Sequence, residues 1–514
     1  MRFMYHAAMQ QNKILRTSLF FFAMVMLFLN ASCSRQGSKA QSTRPATELR
    51  YGYTTEPATL DPLNPSNTAD GKSILFNVFE GLVKPDTEGR LVPCLAESQT
   101  ADETGRVYRF KLRKNVRFHD GSPLTSADIK FSLDTAAAAG FIGFNAIEKI
   151  ETDGDYGVNV TLKYPDPEFL PYLTTGIVKA GSTDREKKAI GTGPYFIESY
   201  AVQQSLVLRK FAQYWQNNVP RLDKITIVFF ADSDALILGL HGGSIDGAGL
   251  TGALIQQLAP GRFDIVPGYS AMVQLLALNN AAPPLNDIRV RQAINYSIDI
   301  QEIIDTAFYG EGKPSGSPLI PGLAVYYEQS LADPYPVNYE KARSLLSEAG
   351  YREKGQLSLE ITVPSSYTMH VDTAQVIASQ LAKAGINVNI HLVDWATWLS
   401  DVYRGRKYQA TIISLDSPIV SPKGFLSRYY SGNNGNFIKF ANTDFDRIYD
   451  MILVETDENK RIVLYKEAQR IISDNAASVY IQDILGFKAF RAGAYGGVLN
   501  YPLFVSDFAS MYAQ

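Results

Sequence analysis

Cysteine is all but missing from this chain, with Cys33 and Cys94 the two in 514 residues. So small a number excludes a disulfide framework, a thiolate metal centre and a CxxC redox site. Histidine is nearly as scarce. Past the N-terminal stretch it occurs as His119, His241, His370 and His391, scattered and without the spacing that lets side chains share a metal. There is no excess of positive charge either. Against 49 Lys and Arg stand 52 Asp and Glu, a formal net charge of −3, which removes nucleic acid from the expected partners. The signatures of common enzymes are also missing: no GxSxG elbow, no HExxH helix, no Walker loop and no dinucleotide fingerprint. The run Gly191-Thr192-Gly193-Pro194-Tyr195 has glycines like a phosphate loop but lacks its Lys-Ser/Thr pair, and it reads as a turn. A chain with these absences is expected to have no enzymatic activity, no cofactor and no bound metal.

What is present is an ordinary globular composition, 46% hydrophobic and 20% charged, on a chain too long for one small core. Two or more lobes are expected. The first 32 residues stand apart from that globule. Arg2, Lys13 and Arg16 precede Ser18 to Leu29, an apolar run of twelve residues that is too short to span a bilayer and reads as an export signal. Its removal takes three positive charges and no acidic ones, moving the net charge from −3 to −6. Small residues before Cys33 resemble a bacterial lipobox, although Asn30 stands where that pattern has Leu. Cys33 is therefore expected to carry lipid, with ordinary cleavage to a free periplasmic protein as the alternative. Residues 33–46, polar and aperiodic, suit a flexible tether.

The most informative stretch runs from Gly105 to Ala136. Val107 to Leu112 alternates as a half-buried strand, Asp120-Gly121 turns the chain, and Thr125 is placed to cap a helix carrying Ile129, Phe131 and Leu133. His119, beside the turn, is expected to be structural. Farther on, Asn338 caps a helix with an apolar stripe that ends at Gly350. Leu357 to Val363 alternates as a strand, Asp372 to Ala384 is helical up to Gly385, and Ile386 to Leu392 alternates again. Strand, helix, strand with short links is a βαβ unit, so an α/β architecture with parallel strands is expected. A third strand spans Tyr408 to Leu415, after the aromatic helix around Trp395 and Trp398.

The run YRFKLRKNV followed by FHDGSPLTSADI resembles the signature of the family 5 extracellular solute-binding proteins, the dipeptide, oligopeptide and nickel receptors of ABC importers. Leu60-Asp61-Pro62, LVPCLAES at 91–98, GTGPY with Tyr214-Trp215, Gly243-Ser244-Ile245-Asp246 and DIRVRQA at 287–293 are similar to further motifs of that family. Most of these read as fold-maintaining, and Arg289 and Arg291 as solvated arginines on a capped helix.

The resemblance implies a two-lobed periplasmic binding protein of type II, cluster C, with hinge-joined lobes. Lobe I would be discontinuous, 47–272 with a C-terminal return over 486–514, and lobe II would be 273–485. The implied role is an extracytoplasmic receptor that acts as a monomer, held at the membrane through Cys33, and hands its solute to an ABC permease in the inner membrane. Peptides are the expected ligand, with an oligosaccharide, a metal chelate or, further off, a periplasmic hydrolase as alternatives. Dipeptide receptors of the family have an Arg after the strand matching Leu357 to Val363; this chain has Pro364-Ser365-Ser366-Tyr367, which favours longer peptides. An Asp that binds the ligand's α-ammonium in family peptide receptors matches Asp416, although Ser417-Pro418-Ile419-Val420 departs from the family's usual continuation. Asp416, Trp395, Trp398 and Tyr367 are thus the expected ligand-binding residues.

Overall fold

The computed structural model describes residues 47–417, 421–503 and 505–514. The leader, the tether and Cys33 lie outside these residues, as do Pro418, Ile419 and Val420. No helix among the described residues is long and apolar enough to cross a membrane.

The chain opens with β1 (Glu48–Tyr53) and then builds a small antiparallel sheet from β2 (Ala96–Ala101), β3 (Val107–Leu112), β4 (Ile147–Asp153) and β5 (Gly157–Leu162), in the order β2-β3-β5-β4. β3 shows why these residues form a strand: Tyr108, Phe110 and Leu112 turn inward while Arg109 and Lys111 face water. The helix that follows the FHDG turn is α1 (Ser126–Ala138). Its N-terminal bond runs back from the third helical residue: the Asp128 carboxylate accepts the backbone N–H of Thr125 at 2.8 Å and the Thr125 hydroxyl at 2.9 Å.

The large sheet takes its strands from along the chain: β6 (Tyr195–Ala201), β7 (Ser205–Lys210), β8 (Lys224–Phe229), β9 (Gly247–Thr251), β10 (Phe263–Leu278), β11 (Gly312–Pro314), β12 (Leu357–Pro364), β13 (Ile386–Val393), β14 (Ala410–Asp416) and β15 (Ser478–Arg491). Their order is β13-β12-β14-β10-β15-β9-β1-β8-β7-β6, with β11 added on β15. The βαβ unit is present, β12 and β13 being parallel and joined by a helix.

Two helices differ from their reading in sequence. α2 (Ile288–Tyr296) is capped by Asp287, and Arg289 lies exposed against that cap, but Arg291 is buried. Its guanidinium donates to the carbonyls of Leu285, Asn475 and Ala476, which compensates for leaving water, and desolvation lowers its pKa to about 10. α3 (Thr368–Ala384) starts four residues before Asp372. Its first two turns bury His370 and Thr373 against polar partners, which interrupts the apolar stripe there.

Packing divides between the two ends of the sheet. Tyr51, Leu82, Phe118, Phe169, Tyr195 and Ile225 share one core with Phe490, Phe508 and Met511 from the C-terminal segment. At the other end, Val273, Leu275, Tyr429 and Tyr465 pack on one face and Leu276, Ile361, Ile377 and Ile481 on the other. β10 and β15 run through both regions as an antiparallel pair, with register shifts between Tyr269 and Val273 and between Gln274 and Leu275.

Candidate functional site

Strand directions locate the site. β14 is antiparallel to β10, β10 to β15, and β15 to β9, while β9 is parallel to β1 and β14 to β12. The parallel strands at the two ends of the sheet therefore point their carboxyl ends toward each other, across the middle of β10 and β15. Ligands of open α/β sheets gather at such ends.

The residues singled out in the sequence lie there. Asp416 ends β14, opposite Met272 of β10, with a side chain 69% exposed. Tyr367 and Trp395 follow the ends of the neighbouring strands β12 and β13, and their rings meet edge to face at 5.5 Å. Each is about two-fifths exposed, so together they present an aromatic surface to solvent. Trp398 is placed differently. It is 3% exposed, stacks plane-parallel at 5.0 Å on Trp395, and donates its indole N–H to the Thr411 hydroxyl at 2.9 Å. Trp398 supports Trp395 from behind. By the register of β12 on β14, Asp416 stands three residues beyond the level of Pro364, about 10 Å along the strand.

Other groups at this junction carry no sequence signal. Asp483 lies on β15 opposite Val273 of β10 and Lys313 of β11, with 0% exposure and no hydrogen-bond partner for either oxygen among the described residues. Burial pushes its pKa up to about 8, against a weaker pull from Lys313. Next to it, Gln482 donates to Gln274 at 2.8 Å, and Gln274 donates to His370 Nδ1 and the Thr373 hydroxyl, both at 3.1 Å. His370 is neutral, its pKa lowered to about 4 by burial.

A second group of charges joins the two packing regions away from the strands. Asp166 and Glu168, in the loop after β5, meet Ser421 and Lys423 of α4 (Pro422–Leu426) and its N-cap, and Arg461 of α5 (Glu458–Asp474). Lys423 Nζ is 2.7 Å from Asp166 Oδ1, Arg461 Nε is 3.2 Å from Glu168 Oε1, and the Ser421 hydroxyl also donates to Glu168. None of the four charged side chains is more than 18% exposed. Among the described residues, no three His, Cys, Asp or Glu side chains gather as a metal site requires.

Residues 90–437 match the family described as bacterial extracellular solute-binding proteins, family 5 Middle. The chain belongs to this family. Among curated relatives, heme-binding protein A of Haemophilus influenzae is 25% identical over 521 residues, covering 91% of this chain and 94% of its own. The glutathione-binding protein GsiB of Salmonella choleraesuis is 29% identical over 440 residues, covering 80% and 84%. The unliganded open form of the periplasmic murein tripeptide-binding protein MppA shares the fold, with a TM-score of 0.80, 23% identity and coverage of 91% and 98%. Structural neighbours of this kind are two-lobed periplasmic binding proteins.

Several motifs that resemble the family's are fold anchors in this family 5 chain. Glu80 is buried and accepts hydrogen bonds from Thr192 of GTGPY, Tyr214, Trp215 and, at 3.6 Å, the Cys94 thiol. Burial raises its pKa, and the Tyr214, Trp215 and Thr192 donors oppose the rise. His119 of FHDG closes on the same turn: the Gly191 N–H donates to its Nδ1 at 3.2 Å, so the proton is on Nε2, which donates to the Gly193 carbonyl at 3.0 Å. Burial takes His119 down to about 4 and keeps it neutral.

Proposed function

We propose that this solute-binding protein captures oligopeptides with a free amino end in the cleft where the strand ends converge. The observation that carries the reading is the Asp416 carboxylate, exposed at the end of β14 beside the aromatic surface of Tyr367 and Trp395. A carboxylate there suits an ammonium group, and the aromatic surface suits the apolar part of a peptide. Trp398, stacked behind Trp395, leaves no paired platform for a sugar ring. The names of relatives point toward small peptides, glutathione for GsiB and a murein tripeptide for MppA.

On this reading lobe I comprises 47–272 with 486–514, and lobe II 273–485. β10 and β15 form the hinge, and the bound peptide passes to an ABC permease in the inner membrane. The protein acts outside the cytoplasm as a monomer, held to the membrane through a lipidated Cys33. Its part is binding, without chemistry.

A charge-assisted hydrogen bond in a cleft that closes over its ligand contributes about 2–3 kcal/mol, or about 30- to 150-fold in affinity. Calorimetry at fixed salt should show Asp416→Asn losing that factor for a free-amino peptide and almost nothing for its N-acetylated analogue. Equal affinity of both proteins for the free-amino peptide removes Asp416 from the site.

A further inference from the structure

Lys488 lies on β15, opposite Gly249 of β9 and Val266 of β10. Its Nζ donates to the Leu499 carbonyl at 2.9 Å, which uses one of the three donors of an ammonium group. The carboxylate that acts on it is Asp507, and that group is engaged elsewhere, accepting from the Tyr501 hydroxyl at 2.7 Å and the Ala509 N–H at 2.9 Å. Burial lowers the Lys488 amine to about 8, so at neutral pH a charge stands here with little to compensate it. Around Lys488 this face of the sheet is bare backbone. Gly486 lies opposite Thr251 and Gly268, and a Cβ on Gly486 would have nothing within 4 Å; on Gly249 it would meet the Tyr51 hydroxyl at 3.5 Å. Gly249 and Thr251 are exposed, and Gly268, Gly486 and Lys488 are half-buried. The glycines thus leave an open trough beside Lys488, reached from Thr251 at the carboxyl end of β9 and bounded at Gly268 by the Asn500 side chain.

Asp416 stands on the same face. Ser414 pairs with Gln274 and Gln274 with Gln482, and residues an even number apart on one strand share a face, which puts Asp416 with Ser414 and Lys488 with Gln482. Four residues along the strand and two strands across, the two charges are about 17 Å apart in the plane of the sheet. An extended peptide rises about 3.4 Å per residue, so four or five residues cover that distance.

We infer that Lys488 and the glycine trough form the subsite for the carboxylate end of the ligand, on the opposite side of the hinge from Asp416, and that the distance between the two charges selects the length of peptide held at both ends. The inference rests on the reading of the cleft as a peptide site with the amino end at Asp416. Without side chains at 249, 268 and 486, a ligand main chain can lie against the sheet and bring its terminal carboxylate to the ammonium group.

The test is calorimetry of the mature chain at fixed salt with di-, tetra- and penta-alanine and their C-terminal amides. The wild type should bind the longer acids about tenfold or more tighter than their amides, and dialanine, too short to reach both charges, should show a ratio near one. Lys488→Gln should bring the ratio for the longer peptides close to one while leaving their amides almost unchanged, which also reports a folded protein. Gly486→Ala adds a methyl group that meets no neighbour, so the variant should keep its Tm and bind both longer peptides severalfold more weakly. A wild-type ratio near one at every length, a ratio as large for dialanine, a ratio untouched by Lys488→Gln, an equal loss for acid and amide in that variant, or full affinity in Gly486→Ala each overturns the inference while the peptide reading stands. Failure of every peptide to bind overturns both.

Discussion

A carboxyl group with 0% exposure and no hydrogen-bond partner, as at Asp483, is held in its protonated form by the cost of burying charge. Its pKa rises from an ordinary 3.8 to about 8, so between those values the folded chain binds a proton that the unfolded chain has released. The stability linked to that proton is complete below about pH 4 and is lost as pH climbs through about 8. Lys313, across the β11 pairing, is the charged group that opposes this shift. Asp483→Asn copies the protonated form at every pH. The gap in Tm between variant and wild type should therefore be wider at pH 8 than at pH 5, by about 2 °C or more; a constant gap would mean that Asp483 is ionised and paired. Residues of this kind leave no trace in a sequence. Asp416, Tyr367 and Trp395 are candidates that a sequence offers, because strand ends and the family resemblance both point at them. Asp483 is not offered, since a lone charge has no period, and what distinguishes it is the buried setting that the fold brings up around it.

At the scale of elements, the turn at 191–195 shows how tightly short motifs are fixed. A Cβ on Gly191 would come within 2.0 Å of the Val78 carbonyl oxygen, and one on Gly193 within 2.6 Å of the Asn77 carbonyl oxygen, so neither backbone can yield without moving the other. Gly191→Ala should cost about 1–3 kcal/mol, seen as a lower denaturation midpoint at unchanged slope. An unchanged midpoint would show that the turn can shift. Elements with a regular face were readable: β3 from its alternation, and β12, α3 and β13 from a period that switches from two to helical and back. The long strands β10 and β15 carry no single period along their length. The register shift near Gln274 breaks the two-residue period of the pair, and β15 passes from the core that holds Phe490 to the one that holds Tyr480. A strand shared between two cores therefore lacks the single buried face that sequence patterns report.

At the scale of the whole molecule, the lobe division proposed above makes opening and closing depend on what holds 47–272 to 273–485 besides β10 and β15. The buried group formed by Asp166, Glu168, Ser421, Lys423 and Arg461 spans them. Each pair loses hydration on forming, and in so buried a place screening by salt is weak. Removing one partner leaves the other charge buried and uncompensated, a cost of about 3–5 kcal/mol. Moving the lobes apart relieves that cost by returning the orphaned charge to water. A few kcal/mol separates the conformers of a typical two-state protein, so a penalty of this size is enough to change which one dominates. Glu168→Gln, which strands Arg461, should enlarge the radius of gyration measured by small-angle scattering without added solute, and Arg461→Met, which strands Glu168, should do the same. The double variant leaves no unpaired charge and should scatter more like the wild type than either single change does. Radii unchanged in both single variants would mean that these pairs hold equally well in every arrangement the lobes visit, and that control of closure rests with the hinge strands and the ligand alone.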